Sequence, residues 1–222
     1  MTRSRSTLFV TGLAVFALLA CGTAPGAPKT SPIAAPTPIA AHIPIGMAPI
    51  PNATIAPYTI AGRTWSELRA QMDRLGPTAT GHHWDAVEEW YMSWTWPGST
   101  GGSCDLSGAI VSYTNKVTSP VWTPPSGVNS SLVADWSRYM IALRTHEKGH
   151  VDLVVAAWPS VIDAIYKATC SSANAAANAA LDRLRQRQTD YDNTTKHGAT
   201  QGATFPKSAA VAHRSAQETI EG

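Results

Sequence analysis

The residues whose types and spacing best suit a chemical task are His146-Glu147-Lys148-Gly149-His150. Four residues turn an α-helix by about 400°, so the imidazoles of His146 and His150 would lie about 40° apart on one face. This spacing suits two nitrogen ligands to one zinc ion, and Glu147 would stand beside the metal as a general base. Gly149 is expected to leave room close to the metal. The motif therefore predicts a helix that holds one zinc ion per chain for hydrolysis.

A purely structural role for the two histidines is the alternative, because an apolar stripe leads into them along the same helix. Two imidazoles and a carboxylate that are buried together lose their hydration, which is costly unless they are paired or bound to a metal. A zinc ion would give all three groups a partner, so the sequence favours the metal site. The stripe consists of Leu132, Trp136, Tyr139 and Leu143.

A catalytic zinc ion usually takes three protein ligands and keeps one position open for water. Two common sources of the third ligand are missing from this sequence. No glutamate occurs between Glu147 and Glu218, so a glutamate from the next helix is excluded. Leu153 and Ala156 occupy the positions at which a compact motif would supply a glycine and a third histidine. The third ligand must therefore be a histidine or an aspartate from elsewhere.

By elimination, His197 is predicted to be the third ligand, and Asp192 is the alternative that the sequence leaves open. Gly198, beside His197, would relax the backbone so that the ring can turn towards the metal. Asp192 and Thr195 are then expected to support the bound ring by hydrogen bonds. In the reversed assignment, Asp192 binds the metal and His197 stabilises the transition state.

The elements that precede the motif are predicted to be mainly strands. Residues 58–62 form a short strand, and the alternation of Trp90, Met92, Trp94 and Trp96 with other residues indicates another. A Gly/Ser turn leads from it to a further strand at about 105–117. Thr64 and Glu67 have the spacing of a capping box, and the helix that they open is expected to end near residue 75.

Helices are predicted for the second half of the domain. Apolar residues recur at spacings of three and four over 132–154, Pro159 is expected to begin the next helix or to kink this one, and 172–188 form a further helix. The polar residues 189–198 are expected to follow it as a loop. Strands followed by helices predict an α+β domain with a small antiparallel sheet before the active-site helix.

The amino-terminal segment is typical of an export signal. Residues 1–20 place Arg3 and Arg5 before an uncharged apolar run, and Cys21 follows directly, as in the lipidation signals of bacteria. We expect a signal peptide over 1–20, a proline- and alanine-rich tether over 21–57 from lipidated Cys21, a folded domain over 58–206 and a disordered tail over 207–222. This organisation predicts a cell-envelope lipoprotein that meets the membrane only through its lipid.

The number of cysteines and the balance of charges indicate the compartment and exclude one class of function. Once Cys21 is lipidated, Cys104 and Cys170 remain as an even pair in an oxidising compartment, which predicts a disulfide bond between them. The chain has 17 basic and 15 acidic residues. This balance excludes a general nucleic-acid-binding protein that depends on attraction to phosphates.

Several segments together resemble a bacterial family of predicted secreted zinc-dependent proteases that has long been described as a domain of unknown function. The resemblance implies a zincin-like fold and a peptide or protein substrate, and it covers about 58–206. The segments that carry it are 58–62, 65–68, Cys104, Trp122, Trp136, 146–150, Cys170 and 191–198.

The prediction for function is a zinc-dependent peptidase outside the cytoplasm, in which Glu147 is the general base. Tyr191 is a candidate donor to the developing oxyanion, or else a packing residue at the end of a helix. The strand that ends near Val117 is expected to offer its edge to an extended peptide. The alternatives are another zinc hydrolase, such as a cell-wall amidase, and a non-catalytic envelope-binding lipoprotein with a structural zinc ion.

Overall fold

The computed structural model describes residues 48–79 and 81–205. The predicted signal peptide, Cys21, most of the tether and the tail over 207–222 lie outside the described residues. Among the residues described, no helix combines the length and the apolar character needed to cross a membrane. The elements of the described part are β1 (Thr54–Ile60), α1 (Trp65–Leu75), β2 (Thr78–Ala79), β3 (His82–His83), β4 (Val87–Thr95), β5 (Ile110–Trp122), α2 (Ser130–Tyr166) and α3 (Ala173–Thr195).

The main sheet has the strand order β1-β5-β4, and β2 pairs separately with β3. β4 runs antiparallel to β5, with Trp90 opposite Asn115, whereas β1 runs parallel to β5, with Tyr58 opposite Pro120. The α+β class is confirmed, but the sheet is mixed, so the prediction of an antiparallel sheet is wrong for β1. The chain passes through α1 and β4 between these two strands, and such a long connection allows a parallel return.

β5 lies in the middle of this sheet and is hydrogen-bonded on both sides. The prediction that this strand offers a free edge to a peptide is therefore wrong. β4 is one of the two edge strands of the described sheet, and it packs against α2. β1 begins at Thr54, and Ile50 before it is buried in the core, so the folded part starts earlier than residue 58.

The HEKGH motif lies near the middle of α2, a helix of 37 residues. Asn129 caps its start by accepting a hydrogen bond from the backbone N–H of Ser131 at 2.9 Å. The helix continues through Pro159, so this proline does not begin a new helix as one alternative predicted. A proline inside a helix costs about 3 kcal/mol. The burial of Val154 and Val161 on either side of Pro159 offsets this cost.

α3 extends to Thr195, well beyond the predicted end at residue 188. The segment that looked like a polar loop is therefore mostly the last two turns of a helix. Lys196, His197 and Gly198 follow with φ angles of 51°, 50° and 79°, so the helix ends in three consecutive left-handed residues. Because Asp192 and Thr195 are separated by three residues, they share one face of α3.

Cys104 and Cys170 lie at disulfide distance, with their Cα atoms 6.3 Å apart, as the predicted pairing requires. This pair joins the segment after β4 to the segment just before α3. The largest hydrophobic cluster lies beside it, where Met92 of β4 and Trp96, which directly follows β4, pack against α2 and α3. The sheet, α2 and the start of α3 therefore form one support for the HEKGH motif.

Candidate metal centre

Three potential ligand atoms meet where α2 and the end of α3 face each other. The Nε2 atoms of His146 and His150 are 3.2 Å apart. Asp192 Oδ1 lies 3.3 Å from the first and 3.0 Å from the second of these nitrogens. In the described part of the chain, His146, His150 and Asp192 form the group whose ligand atoms all lie within 4.8 Å of one another.

The spacing of this triangle fits a small tetrahedral cation. Zinc bonds of about 2.0–2.1 Å to nitrogen and oxygen place neighbouring ligand atoms about 3.3 Å apart. Each of the three observed separations lies within a few tenths of an ångström of that value. Two imidazoles and one carboxylate also have the donor chemistry of known catalytic zinc sites. The residues therefore fit a divalent cation.

The charge state of Asp192 suits a ligand. Burial raises the pKa of this carboxyl, but the hydrogen bonds with His146 and His150 outweigh burial and hold the pKa well below its usual range. Burial lowers the pKa of His150, whereas its hydrogen bonds with Asp192 and Gln188 outweigh that effect and raise it. A metal and a proton therefore compete for His150, because only the neutral ring binds a metal.

Two glutamines, both missed by the sequence analysis, orient the histidine rings. His146 Nδ1 lies 3.1 Å from Gln201 Oε1, and His150 Nδ1 lies 2.5 Å from Gln188 Oε1. An imidazole that donates from Nδ1 presents Nε2 as the acceptor, which is the form that a metal requires. Gln188 also donates to the carbonyl of His150 at 3.2 Å. The one available signal was that Gln188 lies one helical turn before Asp192.

Glu147 lies beside the triangle and is 3 % exposed. Its Oε2 is buried and has no hydrogen-bond partner among the described residues. Burial raises the pKa of Glu147 to about 7, while His150 and His146 act in the opposite direction. A carboxyl group with this pKa can both accept and return a proton near neutral pH.

His197 lies at the rim of the site instead of within the triangle. Its side chain is 53 % exposed, and its Nδ1 is 3.5 Å from Asp192 Oδ1. The ring packs against Trp84 with a centroid distance of 4.7 Å. The geometry of the described residues thus favours Asp192, the alternative that the sequence left open, as the third ligand. Thr195 is close to His146 instead of His197, with Oγ1 3.4 Å from Nδ1.

Tyr191 packs against the rings of both histidines of the triangle. The two rings are stacked at 5.2 Å and 10°, and the tyrosine hydroxyl donates to the carbonyl of His146 at 3.2 Å. Gln201 Nε2 donates to the same hydroxyl at 3.0 Å. A Cβ atom on Gly149 would lie 2.0 Å from this oxygen. Gly149 therefore leaves room for Tyr191, and the expectation that it leaves room for the metal is wrong.

A cavity of about 500 Å³ opens over the triangle. One wall is the edge of β4 with the residues just before it, and the opposite wall is α2 with the end of α3. Glu88 and Trp90 line the cavity from β4, and Trp84 and His197 line it at one end. Glu147 of α2 lines the same cavity as these residues.

The segment that leads into β4 is fixed by Asp85. Its carboxylate accepts two hydrogen bonds from Arg69 on α1 and one from the hydroxyl of Tyr139 on α2. Its backbone carbonyl accepts a hydrogen bond from the hydroxyl of Tyr58 at 2.8 Å. Three elements thus hold one wall of the cavity at a fixed distance from the candidate ligands.

The family model described as "Bacterial protein of unknown function (DUF922)" matches residues 55–198. The matched region contains all three residues of the triangle, Glu147 and the cysteine pair. It agrees with the resemblance to a domain of unknown function, and its description names no activity. Neither the curated proteins nor the solved structures contain a match to the chain.

Proposed function

We propose that this chain, which belongs to the bacterial family of unknown function DUF922, is a zinc-dependent peptidase. The observation that carries the proposal is the pairing of a metal-sized ligand triangle with a buried carboxylate, one oxygen of which has no hydrogen-bond partner among the described residues, in one cavity. A structural metal site has no use for a base, whereas hydrolysis needs both a Lewis acid and a proton acceptor.

His146, His150 and Asp192 are the proposed ligands, and a zinc ion bound there would polarise a carbonyl and acidify water. Glu147 takes a proton from the attacking water as the new C–O bond forms at the scissile carbonyl. It then gives this proton to the amine nitrogen as the C–N bond breaks, so that the carboxylate is restored. Because burial raises the pKa of Glu147 to about 7, this carboxyl group can exchange the proton near neutral pH.

Other residues of the cavity position the substrate. The edge of β4 can pair with an extended peptide through backbone hydrogen bonds, which suits a peptide better than a compact substrate. His197 stands at the rim, within reach of the negative charge that develops on the carbonyl oxygen, and we assign it to stabilisation of that charge. Tyr191 stacks on the ring of His146 and donates a hydrogen bond to the backbone carbonyl of His146. We therefore assign Tyr191 to the positioning of His146 instead of to the stabilisation of the oxyanion.

The proposed place of action is outside the cytoplasm, with the protein attached to the membrane by a lipid on Cys21. The disulfide-distance pair Cys104–Cys170 supports an oxidising compartment. The sequence pattern of residues 1–21 supports export and lipidation.

Zinc titration of the purified chain tests the ligand set. Asp192→Ala should weaken zinc binding by more than about 100-fold, beyond the usual effect of a residue that only supports a ligand. His197→Ala should keep zinc binding within about tenfold while it lowers the rate. Asp190→Ala is the matched control, because Asp190 is exposed on the same helix. Intact zinc binding in Asp192→Ala would contradict the assignment and return it to His197.

Hydrolysis assays with wild type and Glu147→Gln test the reaction. Glu147→Gln should retain zinc and lose at least about 100-fold in rate on a casein-like substrate. Cleavage of peptidoglycan without cleavage of proteins would instead support a cell-wall amidase. Full zinc loading without hydrolysis of either substrate would support a non-catalytic zinc lipoprotein.

A further inference from the structure

Glu88 is a second carboxylate in the cavity that the proposed reaction does not use. It lies on β4, and its side chain shares one face of the strand with Trp90 because the two are separated by two residues. Both line the cavity. Within the described residues, Oε1 of Glu88 is buried and has no hydrogen-bond partner. An acidic oxygen that is removed from water without a partner costs free energy.

The charged residues around the cavity show that Glu88 lacks a lysine or arginine as a counter-charge among the described residues. Four carboxylates line the cavity, from Asp85, Glu88, Glu147 and Asp192, and none of the described lysines or arginines does. Asp85 is neutralised by Arg69, and Asp192 is committed to the histidines. Glu147 is occupied by the reaction. Glu88 is therefore the carboxylate of the cavity that the proposed reaction does not use and that no described lysine or arginine neutralises.

The neighbouring residue provides a contrast. Glu89 points to the opposite face of β4, is exposed, and forms an ion pair with Lys116 at 2.6 Å. The same strand therefore carries one glutamate with its counter-charge on the outer surface and one without a counter-charge inside the cavity. This contrast indicates that a ligand bound in the cavity supplies the positive charge that pairs with Glu88.

We infer that Glu88 is a specificity residue, which binds a positively charged ammonium group of a peptide substrate in the cavity. The inference rests on the proposed peptidase function and adds the substrate class to it. An ammonium group can come from a lysine-like side chain or from the amino terminus of the peptide. Either would pair with the buried oxygen of the carboxylate through a charge-assisted hydrogen bond, which is stronger than one between neutral groups. Trp90, whose ring has the guanidinium of Arg185 5.8 Å from its centroid, also lines the cavity and offers apolar surface to the aliphatic part of the side chain.

Binding is measured with the full chain carrying Glu147→Gln, so that no turnover occurs. The probes are an acetylated Ala/Gly hexapeptide amide with lysine at each position in turn, and the same series with norleucine. A third series has a free amino terminus. Tryptophan fluorescence reports binding, because Trp84 and Trp90 line the cavity. We expect at least one peptide with an ammonium group to bind about tenfold or more tightly than its neutral counterpart.

Glu88→Gln, added to this background, should remove that preference, and Glu89→Gln should leave it intact. The lysine series and the free amino terminus distinguish the two sources of the ammonium group. Equal or undetectable binding of charged and neutral peptides would overturn the inference, and so would a preference that survives Glu88→Gln. A Glu88-dependent preference in a wild-type chain that hydrolyses no peptide would uphold the inference and refute the peptidase function alone.

Discussion

Replacement of Gly149 by alanine is expected to destabilise the protein, although the same change stabilises most helices. An alanine in place of a glycine inside a helix usually contributes about 0.8–1 kcal/mol. Here the new Cβ atom would lie 2.0 Å from the hydroxyl oxygen of Tyr191 and 2.3 Å from its Cζ. Ordinary contacts between such atoms are about 3.5 Å or longer, so the ring must retreat by more than an ångström.

The retreat of Tyr191 has a definite energetic consequence. The hydroxyl lies between the carbonyl of His146 and the amide of Gln201, and the ring is stacked on His146. Overpacking costs about 1–3 kcal/mol, and each disturbed hydrogen bond costs about 0.5–1.5 kcal/mol. After subtraction of the gain in helix propensity, Gly149→Ala should lower the free energy of unfolding by about 1–5 kcal/mol. For a domain of this size, each kcal/mol lowers Tm by about 2–4 °C.

A double-mutant cycle in the absence of metal checks this reasoning by chemical denaturation. In a Tyr191→Ala background the obstacle is gone, so Gly149→Ala should become stabilising by about 0.5–1 kcal/mol. Zinc affinity should fall in Gly149→Ala, because Asp192 adjoins the displaced tyrosine. If Gly149→Ala stabilises the protein while Tyr191 is present, then α2 and α3 do not pack as described.

Three further perturbations test other parts of the molecule. Chelation of the metal should lower Tm in the wild type and lower it much less in Asp192→Ala, since ligand at about 1,000 times Kd contributes about 4 kcal/mol and ligand at about ten times Kd contributes about 1.4 kcal/mol; an equal Tm with and without zinc in the wild type would contradict the metal site. Cys170→Ala should cost about 4 kcal/mol by the chain-entropy model for a separation of 66 residues, and an unchanged Tm would argue against the bond. Asp85→Asn should cost about 1–3 kcal/mol in urea denaturation, because it weakens the acceptor for Arg69 and Tyr139. The exposed Asp73, which also pairs with Arg69, is the control, and Asp73→Asn should cost less than about 1 kcal/mol; equal losses would rule out the proposed role of Asp85.

The sequence predicted the local parts of the site well. The four-residue spacing of His146 and His150 determines their common face wherever the helix lies, because helical geometry is a local property. The capping of α1 by Thr64 is equally local and is also present in the structure. The third ligand was left open between His197 and Asp192 because the choice depends on where α3 packs against α2.

The main error in the prediction of helices has a similar cause. Aspartate, asparagine and threonine have low intrinsic helix propensity, so residues 189–198 were expected to form a loop. In the structure Asp192 and Thr195 face α2, and contacts with His146 and His150 sustain the helix to Thr195. Tertiary contacts thus outweigh propensity in this segment, and Gln201 follows in a short turn that no sequence pattern marked.

α3 is held at both of its ends. Asp192 lies near the carboxyl end, and the cysteine pair lies just before the amino end. α3 spans 23 residues, or about 35 Å, so the two restraints are far apart. Cys170 responds to reductants, whereas a metal held by Asp192 would respond to chelators and to acid. Loss of either restraint alone leaves the opposite end of α3 attached. Detachment of the whole helix therefore requires two independent chemical changes at once, and an environment that supplies one of them leaves most of the cavity in place.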